Sequence, residues 1–321
     1  MHLAVSLNIA SSIGQASLTF AEIAGLVRKA EAAGIDMVVI SDATDERSSS
    51  PFEATTLLAA LATATERIGL VASASTLAHQ PYNLARRFAS LDIISHGRIG
   101  WNATLRQNPR EAANFSRSEG FSNDDFRRRA EEYIGIVQGL WRGWDTDALL
   151  FDKAGGRFHD PDKMHFLDHK GEFFSVRGPL NIARSPQGTP VLVMSSLAEA
   201  EFDFAARVAD VILVDAVSPA DAKAACDDLK RRAVTAGREP HALKTLATLQ
   251  AEPELGTDHL DHWFAGQGCD GLNLALPADL SALDDFADRI LPDLRRRDAA
   301  RSAHAGARLR DHLGLGAGGE K

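Results

Sequence analysis

Short runs rich in Val, Ile and Leu alternate with longer amphipathic stretches along most of the chain. The runs at 3–10, 37–41, 68–73, 99–105, 191–195, 211–214, 243–249 and 271–276 are apolar at odd and even positions alike and end at Gly, Pro, Asp or Ser. A strand with one wet face alternates, so unbroken apolar runs predict strands buried on both faces, as in a parallel sheet covered by helices. The intervening stretches carry helix starts. Thr19 with Glu22 forms a capping box that stops at Gly34, and Ser50-Pro51-Phe52-Glu53 and Ser218-Pro219-Ala220-Asp221 put proline at a first helical position. Further helices are expected at 81–94, 124–141, 198–208, 257–265 and 280–297.

Strand-then-helix units of this kind predict a TIM-like (β/α)8 barrel in the α/β class. A doubly wound open sheet is the competing arrangement, but no Gly-x-Gly-x-x-Gly lies between a strand and a helix. The stretch 144–187 is too long for a simple connection and is full of turn signals, with Phe173-Phe174-Ser175-Val176 as a short strand. It is expected to be an insertion between strands 4 and 5, within one domain over 1–321. The tail 298–321 is basic and then glycine-rich, and its end is expected to fray.

Composition narrows the function. A net charge of -9 disfavours a general nucleic-acid binder. Cys226 and Cys269 lie too far apart in sequence to suggest a disulfide framework or a metal cluster, and so low a count fits a reducing cytoplasm. No signal peptide and no stretch of roughly 18 apolar residues is evident, so a cytoplasmic chain without a membrane anchor is expected.

In a barrel, chemistry collects at the carboxyl ends of the strands. The polar residues expected there are Asp42; Ser75, Thr76 and His79; Asn102, Thr104 and Arg106; Ser195 and Ser196; and Asp215. Asn102 stands out, because a buried strand amide needs partners. Ser195-Ser196 before a helix reads either as a cap or as an anion cradle. His79 reads first as a loop residue at a helix start, with a catalytic role as the alternative. The cluster His159, His165, His169, Asp160, Asp162 and Asp168 has no zinc spacing, so no metal is expected. No Gly-x-Ser-x-Gly elbow supports a hydrolase.

Several segments, in order, resemble one family: Thr65-Glu-Arg-Ile-Gly-Leu-Val71, Pro81-Tyr82-Asn-Leu-Ala-Arg86, Phe88-Ala-Ser-Leu-Asp92, Ser95-His-Gly-Arg98-Ile-Gly-Trp-Asn102, Ala130-Glu-Glu132, Asp168-His169-Lys-Gly171, Phe174-Ser-Val-Arg-Gly-Pro-Leu180, Ser185-Pro-Gln-Gly-Thr-Pro190, Asp270-Gly271-Leu-Asn273 and Leu309-Arg310-Asp-His-Leu-Gly-Leu315. The chain resembles the bacterial luciferase-like flavin monooxygenases, in the branch of the nitrilotriacetate and dibenzothiophene sulfone monooxygenases. The resemblance implies reduced FMN from a separate NAD(P)H-dependent flavin reductase, O2 and a small organic substrate, and a homodimer. It assigns Asp42, Thr76 and Asn102 to the flavin ring pocket and the loop at Ser195 and Ser196 to the phosphate.

The sequence also departs from the family. Where the family has small hydroxyl residues after Trp-Asn, this chain has Leu105 and Arg106. Its phosphate loop has lost both glycines, and Glu201 is expected to bring negative charge toward the phosphate. Phe126-Arg127 replaces an Arg-Tyr pair. Arg106 and Arg127 are the candidates to supply new phosphate contacts. The stretch between the sixth and eighth strands is short, which predicts a more open substrate side. Two functions follow: a two-component FMN-dependent monooxygenase, or a non-catalytic relative serving as a partner subunit or small-molecule binding protein.

Overall fold

The unbroken apolar runs close into a barrel. The computed structural model describes residues 1–12, 16–42, 48–107, 109–115, 120–250, 263, 268–276, 283–284, 286–296 and 304–318. Its barrel strands are β1 (His2–Asn8), β2 (Met37–Ser41), β3 (Gly69–Ser75), β4 (Ile99–Thr104), β5 (Val191–Ser195), β6 (Val211–Asp215), β7 (Lys244–Gln250) and β8 (Gly271–Leu276). Each pairs in parallel with its sequence neighbours, and β8 returns to β1 with His2 opposite Gly271. Closure leaves no sheet edge, so every strand is covered outside by helices and inside by its own side chains.

The helices begin where their caps dictate. In α1 (Phe20–Ala32) Thr19 and Glu22 complete the expected capping box. The helix α6 (Pro219–Thr235) starts at the Ser218 cap with proline in its first turn, as the sequence predicts. The Ser50-Pro51 start is displaced. The helix α2 (Ala54–Ala64) is capped by Glu53, whose carboxylate accepts the amides of Thr55 and Thr56, while Ser48–Ser49 pairs with Ser11–Ser12 in a two-residue ladder. A carboxylate that satisfies two orphan amides outcompetes a serine upstream of a proline. The remaining described barrel helices include α3 (Pro81–Ile94), α4 (Asn123–Trp141) and α5 (Phe202–Val208). The helix expected at 257–265 falls outside the described residues apart from Trp263, and of 280–297 the described part holds a π-helical turn, Phe286–Ile290, running into Leu291–Arg296.

Between α4 and β5 the chain forms two antiparallel pairs, Leu149–Asp152 with Arg157–His159 and His169–Lys170 with Ser175–Val176. Phe174 of this region packs against Tyr133 of α4, so the segment is tied to the barrel's helical layer.

The carboxyl-terminal tail packs into the barrel ahead of its glycine-rich end. Leu309, Leu313 and Leu315 are buried in the barrel's inner cluster with Ala4, Met37, Val71, Val191, Val211 and Leu246. The Leu309 amide donates to the Gly97 carbonyl at 3.0 Å. Arg310 is buried with its guanidinium 2.7 Å from Asp210 and bonded to Thr189. Gly318 is buried too, its amide donating to the Gln187 carbonyl. The tail therefore plugs the amino-terminal mouth of the barrel as far as Gly318, with Leu309, Leu313 and Leu315 filling the apolar inner cluster there. Residues 319–321 lie outside the described residues.

The two cysteines also correct the sequence reading. Cys226 of α6 and Cys269, just ahead of β8, are joined as a disulfide with Cα atoms 5.6 Å apart. Barrel closure brings together residues separated by 43 positions in sequence. The cysteine count thus carries no argument for a reducing compartment. Among the described residues, no helix is long and apolar enough to cross a membrane.

Candidate active site

Strand parity builds the site. Along β4, Trp101 points outward into an aromatic cluster with Phe88, Tyr133 and Trp141, its indole N–H donating to the Ala74 carbonyl at 3.0 Å. Gly100 and Asn102 therefore face inward. A Cβ at Gly100 would come within 3.0 Å of the Val191 carbonyl and Val71, so the interior is tightly filled at that level. One layer nearer the carboxyl end, the inward positions turn polar. Asn102 Nδ2 donates to Ser73 at 2.9 Å and to Ser195 at 3.0 Å, and the Ser195 hydroxyl donates to Asn102 Oδ1 at 3.1 Å. Across the barrel, Asn273 Oδ1 accepts from Ser6 at 2.9 Å and its Nδ2 donates to Thr248 at 3.3 Å. These side chains floor a cavity of about 1320 Å³, whose wall includes Asp42, His79, Arg106, Ser196 and Asp215.

Three carboxylates gather on one side of this cavity. Asp42 accepts the amide of Ala54 at 3.0 Å, so it caps α2 and lines the cavity at once. Burial holds its pKa above the ordinary carboxylate value. Glu53 is exposed, and the partial desolvation that it feels is outweighed by hydrogen bonds from Thr55 and Thr56, which lower its pKa. Glu111 accepts the Ser75 hydroxyl at 2.7 Å. Burial, with the Asp42 charge adding to it, raises its pKa. His79 is half-buried on the same wall, and burial together with Arg87 lowers its pKa, which favours the neutral imidazole.

In the turn after β5, Ser196 lies in the left-handed region at φ 53°. Arg106 reaches across from the end of β4, and its Nε donates to the Ser196 carbonyl at 2.8 Å. Leu105 turns outward and is buried in the core layer beyond the strands. Glu201 folds back onto its own turn, its carboxylate accepting the Ala198 amide at 2.7 Å, and is nearly buried. It does consume one amide that an anion would otherwise use.

Not every sequence candidate joins the site. Arg127 lies half-buried on α4 beside Asp124 at 3.4 Å and is not among the residues that line the cavity. Thr76 is fully buried next to Ser75, and its Oγ1 has no hydrogen-bond partner among the described residues. The histidines of the 144–187 region are occupied structurally: His165 meets Asp145, His169 meets Glu132 at 2.8 Å, and His159 packs edge-on against Trp144. Sequence reasoning missed Glu111, Thr248 and Asn273. Asn273 could have been found by carrying the inward parity of Gly271 along β8. Nothing in the short helix Pro109–Ala113 marks Glu111.

Comparisons with known proteins agree with this fold. The family model described as luciferase-like monooxygenase matches residues 1–314. The N-acetyl-S-(2-succino)cysteine monooxygenase of Bacillus subtilis is 30% identical, covering 90% of this chain and 88% of its own. Component A of the nitrilotriacetate monooxygenase of Aminobacter aminovorans is 32% identical over 81% of this chain and 78% of its own. One of the pristinamycin IIA synthase subunits of Streptomyces pristinaespiralis is 35% identical over 92% of this chain and 90% of its own. The Bacillus alignment spans 390 positions, more than the 321 residues here, so that relative carries insertions this chain lacks. The synthase alignment spans 297 positions and needs few gaps. Among solved structures, a riboflavin lyase superposes with a TM-score of 0.87 at 23% identity, covering 98% of this chain and 96% of that one, which speaks for the fold.

Proposed function

Because the chain belongs to the luciferase-like monooxygenase family, we propose that it is a flavin-dependent monooxygenase that uses reduced FMN, supplied by a separate flavin reductase, and O2 to oxidise a small organic substrate. The observation that carries this reading is the polar layer of Asn102, Ser73 and Ser195 opening into the large cavity, with a guanidinium anchored on the adjoining turn. The donor set fits the group. The buried amide of Asn102 suits a heteroaromatic ring edge. The unpartnered Thr76 hydroxyl, one residue beyond the cavity-lining Ser75, is a spare polar group at the same strand end. Ser195, Ser196 and Arg106 suit a phosphate, with Arg106 contributing charge where Glu201 has taken an amide. Reduced FMN, when bound there, supplies the electrons that let one atom of O2 enter the substrate.

The protein's own contribution is placement and exclusion of water. Asn102 is held by two serines, so its amide orientation is fixed before any ligand arrives. Asp42, with its raised pKa, sits as a group that holds or releases a proton at the cavity wall. His79, favoured as the neutral imidazole, can accept one.

Anaerobic titration with reduced FMN, comparing wild type with Arg106→Ser, tests the assignment. The expected result is saturable binding that weakens by about tenfold or more in the variant, the loss of a charged hydrogen bond. Equal or tighter binding by the variant would mean that Arg106 obstructs the site.

A second reading has its own observation: the nearly gap-free match to a synthase subunit and the insertions missing relative to a longer relative. It makes the chain a partner of a longer family member. Consumption of O2 and conversion of a substrate by the purified chain, supplied with reduced FMN and no other family member, would exclude it.

A further inference from the structure

Beside the main cavity lies a second pocket of about 660 Å³. Ala78, His79 and Asn114 line both, so the two spaces adjoin. Their electrostatic characters are opposite. Among the described residues, the main cavity is walled by Asp42, Glu53, Glu111 and Asp215 against the guanidinium of Arg106. The side pocket, among the same residues, is lined by Arg87 and Arg129 and by no carboxylate.

Both guanidiniums are held in place at the pocket. Arg87 donates to the Thr55 hydroxyl at 3.0 Å. Arg129 donates to the Thr76 carbonyl at 2.8 Å and stacks on Phe174, its guanidinium carbon 4.7 Å from the ring centroid. The charge of Arg87 is felt inside the pocket, since it helps to lower the pKa of His79 on the shared wall. An anion placed between the two guanidiniums is attracted by both. The planar forks of arginine match a carboxylate in a bidentate way. Phe121 and Phe173 also line the pocket, so the ligand carries an apolar body behind its charge.

We propose that this pocket binds the carboxylate of an organic acid, and that the acid is the substrate: its anionic end sits between Arg87 and Arg129 while its remainder extends past His79 into the main cavity. This assignment of substrate class rests on the monooxygenase reading of the main cavity. The acidic wall of that cavity repels the carboxylate and so sets the direction in which the molecule enters.

The test is calorimetric titration of the full chain with benzoate, benzamide and inorganic phosphate as probes. Wild type is compared with Arg87→Gln and with Asn83→Asp. The second variant adds a negative charge on an exposed, near-isosteric position at the pocket edge and leaves packing alone. Benzoate is expected to bind, benzamide not, and each variant to weaken benzoate by about tenfold or more. Reduced FMN affinity, measured on the same preparations, is expected to stay at the wild-type value. Equal binding of benzoate and benzamide, tighter binding of phosphate than of benzoate, or wild-type benzoate affinity in Asn83→Asp would each overturn the proposal. Failure of the flavin reading shows separately, as absence of reduced FMN binding by the wild-type chain.

Discussion

Leu309→Ala removes the central residue of the tail plug. Leu309 is fully buried, and the barrel residue facing it is Gly69, where a Cβ would lie 2.3 Å from Leu309 Cδ1. Glycine offers no side chain to collapse into the vacated space, so the hole persists. Large-to-small changes at such sites cost about 3–5 kcal/mol, rising with the volume left empty. The loss is read from urea unfolding as a fall in midpoint at unchanged slope. Because the plug closes the end of the barrel opposite the cavity, reduced FMN affinity at low denaturant is expected to match wild type. A loss below about 1 kcal/mol would refute the plug, since that is the range of an exposed side chain. Loss of flavin affinity at full folding would refute the separation of stability from site.

Arg310→Met breaks the pair with Asp210, whose carboxylate keeps the Leu192 amide, and is expected to cost about 1–3 kcal/mol; a urea midpoint within error of wild type would contradict a stabilising role for the pair. Glu111→Gln tests the acidic wall through pH. The wild-type carboxyl binds its proton more tightly when folded than at its ordinary value of 4.5, so stability falls as pH rises through the window from 4.5 up to the folded pKa. The variant lacks that fall, so it should gain on wild type above the window and match it below, whereas a constant offset at all pH values would show that Glu111 does not titrate abnormally.

Most of the barrel is written in the hydrophobic pattern. The strands Met37–Ser41, Val191–Ser195 and Gly271–Leu276 begin and end where the apolar runs do. The helix Pro81–Ile94 likewise follows its proline start. Local chemistry suffices for these because each boundary is set by residues adjacent in sequence. The tail is less legible. Its leucines carry a buried face, but basic neighbours and terminal glycines mask it, and the hole it fills is made by strands far away in sequence. The disulfide is illegible for the same reason. At the site, Asn102, Ser195, Ser196 and Arg106 follow from strand ends, whereas the direction of Arg127 depends on which face α4 turns to the barrel. Glu111 and the Arg87–Arg129 pair emerge only when the β3 and β4 connections are set beside α4 in space.

The central claim is that reduced or oxidised FMN occupies the cavity at the carboxyl end of the barrel. The most direct measurement is a crystal structure of the chain grown with FMN. Density is expected for the ring against Asn102 and for the phosphate on Ser195, Ser196 and the Arg106 guanidinium. Density for FMN anywhere else, including the pocket between Arg87 and Arg129, or an empty cavity at saturating FMN, would contradict it.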